Sequence, residues 1–269
     1  MDFEPIPGPR GLPIIGNLFD LPSDQPPIQG LEHLADVYGE IYRINITGQE
    51  ALCISSAEMM NEILNDDKTW AKPAIPNLAR KGRPAGLVAA ATADPDWGQS
   101  HRVLMPAFGP IAIQSMFEGM KDIANQLVLK WARMGPKEDI LLTDDYTKLT
   151  LDIIAANTMD YRFNSFYRDA MHPFVEAMMN RLNAATDKAM QPAIVTQARS
   201  LVGAADKSAD DVQTMVNIAQ EIITERRSNP IEKDDLLNHM LHGRDPKTGE
   251  PMRDALIASE MLSFLIAGQ

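Results

Sequence analysis

Residues 234–268 read DDLLNHMLHGRDPKTGEPMRDALIASEMLSFLIAG, and a short apolar segment, a polar loop and a long apolar helix follow one another in them. The loop, HGRDPKTGEPM over 242–252, carries Gly, Pro and charge. From about Asp254 the positions Leu256, Ile257, Met261, Phe264, Leu265 and Gly268 recur at helical spacing and face one way. The apolar run MLSFLIAG is sized for a protein core, well short of the ~18 residues that cross a bilayer. Near its end two small residues, Ala267 and Gly268, stand side by side. Glycine costs about 1 kcal/mol relative to Ala inside a helix, so its presence suggests the close approach of a neighbour or of a flat ligand. A helix–helix contact explains it at least equally well. No stop signal follows, so the chain reads as ending inside a helix, as a truncated product would.

Upstream the pattern stays helical. Ser208 with Asp211 three residues on is an acidic variant of the capping box. The helix it opens should bury Val212, Met215, Val216, Ala219, Ile222 and Ile223. His172-Pro173 suits a helix start, since Pro fits the first turn. Another helix is expected from about Asp144 to Met159, with Thr143 as a cap. From Ile111 to Met134 the positions Ile113, Met116, Phe117, Met120, Ile123, Leu127, Trp131 and Met134 predict one continuous helix, ended by Gly135-Pro136. Residues 73–96 carry Pro and Gly and read as a functional loop by their length.

Nearer the start, EIYRINITG and EALCISS alternate apolar and polar residues at period two, which predicts a β-hairpin. Tyr42, Ile44 and Ile46 lie on one face. Leu52 and Ile54 repeat the pattern after the turn Thr47-Gly48-Gln49-Glu50, with Cys53 pointing away from them. A short helix over 31–38 stops at Gly39, and AEMMNEILND aligns Met59, Met60, Ile63 and Leu64 in a helical stripe. Residues 1–30, rich in Pro and Gly, read as an irregular lead-in. The expected fold is mainly α with a small β-hairpin subdomain over 30–56 and a helical region over 57–269.

Composition narrows the function. The 269 residues carry a formal net charge of −12, which speaks against nucleic acid as a partner because phosphate binding needs clustered Lys and Arg. Cys53 is the single cysteine, so an internal disulfide and a cysteine-rich zinc site are excluded. The start lacks the layout of a secretory signal, and no run suits a transmembrane anchor. A soluble cytoplasmic protein is the expectation. The 16 Met residues are read as core packing.

No phosphate-binding loop, dinucleotide fingerprint, nucleophile elbow or HExxH pair is present. The histidines His33, His101, His172, His239 and His242 are scattered, and the last two read as ordinary surface residues. More telling is Trp97-Gly98-Gln99-Ser100-His101-Arg102. In a helix Trp97 and His101 share a face four residues apart, and both can donate a hydrogen bond to an anion. Followed by Leu104, Met105 and Phe108, they could hold a carboxylate against an apolar pocket. Packing beneath a loop accounts for the pair as well.

Taken together, the 234–268 tract resembles the approach to the central oxygen-binding helix of cytochromes P450. IPGPRGLPIIGNL, GEIYRI, the Trp97–His101 helix, LTLDIIAANTMDYRFNSFYRD and MHPFVEAMM extend the likeness over essentially the whole chain. YRFNSFYRD and DPKTGEP favour the self-sufficient fatty-acid hydroxylases, in which the P450 domain is fused to a flavin reductase. The resemblance implies a cytochrome P450 fold, C-terminally truncated, and a haem-thiolate monooxygenase acting on a fatty acid or similar apolar molecule. It also implies haem b as cofactor, with FAD, FMN and NADPH in a fused or partner reductase. By position, Trp97, His101 and Lys72 match donors to the haem propionates, and Leu87 and Val88 match the loop over the haem face. Phe108, Phe264, Ala267 and Gly268 match positions packing near the porphyrin, with Ala267 and Gly268 in the catalytic stretch. Val88, Met178, Leu182, Ile266 and Ala267 match the substrate channel.

Two departures stand out. Gln49 and Cys53 occupy hairpin positions where the fused hydroxylases carry a cationic residue and a Tyr, so a charge-assisted grip on carboxylate is not secured there. Val88 replaces a bulky aromatic and should widen the site. The acid–alcohol pair and the iron-ligating Cys are expected beyond Gln269, so the chain as it stands should not turn over. Two other readings remain open: a haem-dependent hydroperoxide isomerase and a non-catalytic helical fragment.

Overall fold

The computed structural model describes residues 5–13, 15–21, 27–46, 48–74, 83–168, 170–190 and 208–268. The chain divides into two compact units, the first running to Ala71 and the second from Lys72.

The first unit contains helix α1 (Pro27–Tyr38), strands β1 (Ile41–Ile46) and β2 (Gln49–Ile54), and helix α2 (Ala57–Asn65). Helix α1 begins at Pro27, earlier than the apolar pattern suggests, because Pro is tolerated in a first turn. Gly39 follows with φ +93°, a conformation that favours glycine. The strands pair antiparallel, with Tyr42 opposite Cys53 and Ile44 opposite Ala51. Residues directly opposite share a face, so Cys53 packs with Leu34, Tyr42 and Ile44, while Leu52 is 51% exposed. The expectation that Leu52 and Ile54 continue the buried face is therefore corrected: alternation within β2 offers two faces, and the pairing register selects the one with Cys53. The Tyr42 hydroxyl donates to the Leu31 carbonyl at 2.7 Å. Burial, reinforced by the Cys53 thiol beside it, pushes this hydroxyl up to about 12. Helix α2 forms as its stripe predicts, yet none of its residues is buried.

The second unit is helical. Helices α3 (Gly86–Ala89) and α4 (Pro95–Leu104) lead through a 3₁₀ turn, Met105–Phe108, into α5 (Pro110–Ser115) and α6 (Phe117–Arg133). Then come α7 (Leu142–Met159), α8 (Pro173–Met190, in this unit as far as Asn183), α9 (Ser208–Ser228), α10 (Leu236–His242) and α11 (Asp254–Ala267). The single helix expected over 111–134 is two: α5 ends at Met116, whose N–H turns back to the Ile113 carbonyl at 3.1 Å. Of that stripe only Ile123 at 2% and Leu127 at 3% are buried, whereas Ile113 and Phe117 are exposed. Gly119 lets α6 close on α7, since a Cβ there would overlap the Asn157 side chain. Thr143 does not cap α7: the cap position is Leu141, without a side-chain hydrogen bond.

The core of this unit gathers Leu104, Leu151, Met159, Phe163, Phe174, Met178, Met215, Leu237 and Met240 around the inner side of α11. Helix α9 buries all six residues that its periodicity selects. Arg226 of α9 donates to both oxygens of Asp235, at 3.1 and 3.0 Å, and to the Met159 carbonyl at 2.9 Å, which fixes the C-terminal end of α7 against α9 and α10. Asp235 in turn caps α10 by accepting from the Asn238 N–H at 2.8 Å. Asp152 accepts from the Ser165 N–H and hydroxyl at 2.9 and 2.7 Å, shaping the segment after α7. Burial raises that carboxyl's pKa against the opposing Ser165 bonds. Among the described residues no helix is long and apolar enough to cross a membrane.

The 242–252 loop is polar as expected, but its Asp245 is buried. Arg102 of α4 forks onto it, Nε to Oδ1 at 2.6 Å and Nη2 to Oδ2 at 2.7 Å, and Lys247 N–H and the Thr248 hydroxyl add bonds at 3.0 Å. The Arg102 bond chiefly holds the Asp245 carboxyl well below the ordinary carboxylate range. A carboxyl depressed in the folded state stabilises fully above its unfolded pKa of about 4 and loses that stabilisation as pH falls below it. Asp245→Asn should therefore lower the melting temperature at pH 7, and the gap from the parent should shrink at pH 3. Calorimetry at both pH values checks this, and a constant gap would contradict it.

Candidate active site

Helix α4 has two unlike faces. Asp94 caps it, accepting from the Asp96 N–H at 2.9 Å, and Pro95 stands in its first turn. Ser100, Val103 and Leu104 are buried. On another face Trp97 and His101 stack with ring centroids 5.1 Å apart and planes 22° apart. Both are half-buried, and no described residue accepts a hydrogen bond from either ring. The pair is thus presented as the spacing predicts, with two N–H donors free to meet an anion.

Helix α11 supplies the second wall. Phe264 packs on Phe108 with centroids 5.4 Å apart, and Ala267 is exposed beside them in sequence. Phe108 at 41% and Val88 at 46% exposure leave apolar surface uncovered. A Cβ on Gly268 would overlap the Ile154 side chain, so close packing of α7 is what requires this glycine.

The third wall is α3, and an interaction that the sequence pattern did not reveal holds it. Glu260 lies fully buried in α11 and accepts the Leu87 N–H through both oxygens, at 2.9 and 3.0 Å. Lys72 donates from Nζ to the carbonyls of Leu87 and Val88 at 2.9 and 2.8 Å. Two of its three N–H groups thus serve the α3 turn. Gly86 opens the turn at φ +69°, and a Cβ there would crowd Ser263 and Glu260. Burial raises the Glu260 carboxyl's pKa, opposed by Ser100, by the Leu87 N–H and, at longer range, by Lys72, while Asp96 adds to the rise. The Ser100 hydroxyl favours the charged carboxylate by its nearness, yet makes no hydrogen bond of good geometry. Burial lowers the Lys72 pKa, and Glu260 pulls the other way. The signal for Glu260 was available: a lone carboxyl within an apolar helix requires a partner.

Between α3, α9 and α11 a cavity is lined by Val88, Ala89, Met215, Leu262, Ile266 and Ala267, with Arg83 and Arg181 on its wall. Val88, Ile266 and Ala267 therefore come together as expected. Met178 is fully buried in the core and Leu182 packs against that core, and neither lines the cavity. Among the described residues no cluster of His, Cys, Asp and Glu could hold a metal. His239 pairs with Asp234 at 2.8 Å and His242 is exposed, in keeping with surface roles.

The sequence pattern of the cytochrome P450 family matches residues 6–269. The chain is 46% identical over 266 residues to a bifunctional cytochrome P450/NADPH–P450 reductase of Aspergillus oryzae, covering 98% of this chain and 24% of that protein. It is 44% identical over 264 residues to the self-sufficient cytochrome P450 monooxygenase CYP505E3 of Phanerodontia chrysosporium, covering 98% and 25%. A bifunctional P450/reductase of Acremonium egyptiacum, ascE, is 43% identical over 270 residues, at 98% and 25%. The chain spans about a quarter of the length of these curated relatives.

Glu260→Ala leaves the Leu87 N–H buried without an acceptor and should cost about 1–3 kcal/mol, whereas Glu260→Gln keeps an amide oxygen in place and should cost less. Chemical unfolding of the purified protein distinguishes them. Equal losses from both variants would show that the hydrogen bond is not what fixes α3.

Proposed function

The chain belongs to the cytochrome P450 family, and from this premise we propose that it is the N-terminal part of a haem-thiolate monooxygenase that hydroxylates a fatty acid or similar apolar substrate with O2 and NADPH-derived electrons. The observation that carries the reading is the stacked Trp97–His101 pair, with both rings free to donate, on a helix next to uncovered apolar side chains. A flat apolar macrocycle bearing two carboxylates needs such a surface: Phe108, Phe264 and Ala267 to cover its face, and ring N–H groups to receive its anionic edge. Trp97 and His101 would hold the propionates, and the remaining N–H of Lys72 is a third candidate.

A bound haem with a thiolate ligand would supply the oxygen-activating iron. Cys53 is held on β2 opposite Tyr42, and the ligating Cys is assigned to sequence beyond Gln269. The 269 residues are accordingly expected to be inactive alone. The chain's own part is to orient. Glu260 and Lys72 fix the α3 turn, so that Val88 forms one wall of the apolar cavity and Ala267 another, which keeps water away from an apolar chain lodged between them. Electrons are assigned to a reductase carrying FAD, FMN and NADPH, fused or separate. The names of relatives described as bifunctional P450/reductases favour that source over the isomerase reading, which needs no external reductant.

The complete gene product, reduced under carbon monoxide, should give the thiolate-haem Soret band and convert dodecanoate to hydroxylated products detectable by mass spectrometry. Trp97→Phe and His101→Phe should each weaken haem retention roughly tenfold or more, as loss of a hydrogen bond to a charged group costs about 1.5–3 kcal/mol. Haem transfer to an apo-globin measures this. A complete product that stays colourless with added hemin would overturn the proposal.

A further inference from the structure

The start of α8 is held by a histidine, and the reaction proposed above makes no use of it. Pro173 has no N–H to offer, so the first backbone donor of the helix belongs to Phe174. Phe174 is completely buried, and its N–H donates to Nδ1 of His172 at 3.2 Å. Nδ1 can accept only while it carries no proton, which places the ring hydrogen on Nε2. From there it donates to the Tyr161 hydroxyl oxygen at 3.2 Å. Phe163, itself buried, packs on the same ring with centroids 4.9 Å apart. The neutral imidazole thus satisfies an enclosed N–H at the point where the chain enters the core.

We propose that His172 is a proton-operated latch: taking up a proton at Nδ1 releases the first turn of α8 and loosens the cavity wall that this helix supports. A proton there turns the acceptor into a second donor aimed at the Phe174 N–H, which leaves a buried donor without a partner. It also puts a cation at the helix end where the macrodipole is already positive. The surrounding groups do little to shelter that charge. Arg168 lies near the ring, and Lys148 of α7 lines the same small pocket. Against them stand the exposed Glu221 of α9 and Asp152 of α7, whose oxygens already accept from Ser165. Tyr161 stays uncharged, its pKa raised by burial. Burial, and then Arg168, lower the His172 pKa, while Glu221 opposes them. With a folded pKa below the ordinary value of about 6.5, the latch stabilises fully above that pH and loses its hold as pH falls toward the folded value. The link to the cavity runs along the helix: Phe174 and Met178 are enclosed in the core, and Arg181 further on stands on the cavity wall. The consequence for ligand binding rests on reading the cavity as the substrate site, whereas the latch itself does not.

Hydrogen–deuterium exchange of the complete purified protein, read by mass spectrometry on peptides from the 171–182 segment, tests the latch. After correction for the intrinsic pH dependence of exchange, the segment should open roughly threefold to tenfold more at pH 5.5 than at pH 7.5, because a released imidazole with the ordinary pKa gains no more than that over the interval. Peptides from α6 should show no such response. His172→Asn keeps a side-chain oxygen that can cap the Phe174 N–H and does not titrate, so its exchange in this segment should be the same at both pH values. His172→Phe keeps the aromatic packing and removes the acceptor, and should open the segment at both pH values alike. Calorimetric titration with dodecanol should show parent binding weakened severalfold at pH 5.5 and His172→Asn binding unchanged. Exchange over 171–182 that ignores pH in the parent, or that follows pH equally in His172→Asn, overturns the latch. Dodecanol binding that ignores pH while the segment opens overturns its link to the cavity. Because exchange does not depend on haem, a missing thiolate-haem band with a pH-dependent 171–182 segment counts against the proposed reaction and not against the latch.

Discussion

A carboxyl buried in an apolar helix is the constraint around which the second unit is arranged. Helix α11 hides Leu256, Ile257, Met261 and Leu265 completely or nearly so, and Glu260 lies among them fully enclosed. Without hydrogen bonds such a group would be expelled or neutralised. Its partner is the Leu87 N–H, contributed from far away in sequence, so satisfying one carboxyl fixes where the α3 turn must lie. Lys72 clasps the same turn through the carbonyls that follow. The position of Val88 opposite Ala267 is thus a consequence of polar satisfaction inside an apolar core, and the cavity between them is what that arrangement leaves.

The other buried charges act in the same way. Asp245 with Arg102 ties α4 to the 244–251 loop, and Asp235 with Arg226 ties α7, α9 and α10 together. Desolvation offsets much of the Coulomb energy of such pairs. Their effect is to select one arrangement: a forked Arg–carboxylate contact tolerates little rotation, so α4 is held with its Trp97–His101 face turned away from the core. A forked contact at Arg102 resists rotation of α4 about its axis, which would carry the Trp97–His101 pair to another side.

Relatives named as bifunctional P450/reductases are about four times as long as the chain, and the proposed reaction assigns these helices to the haem surroundings. Within that reading the division of labour is simple. Aromatic and small residues of α4, α11 and the turn after α4 offer one apolar surface, and the α3–α9–α11 cavity offers another.

Much of this was legible in the residues. Period two gave the hairpin, period 3.6 gave the buried face of α9 and the inner stripe of α11, and i, i+4 spacing put Trp97 and His101 together. The family likeness rested on tracts that the comparisons then matched over 6–269. These features are local, since each depends on spacing along one element. What the sequence could not decide were relations between elements. Strand register placed Cys53 and not Leu52 on the buried side, the approach of α7 required Gly119 and Gly268, and a break at Met116 divided an apparently continuous stripe. The partners of Glu260, Asp245 and Arg226 depend on chain segments brought close only by folding. A lone charge in an apolar run announces that a partner exists, and only the tertiary structure says which one, because hydrogen bonds are made at about 3 Å between atoms whose separation along the chain sets no such distance.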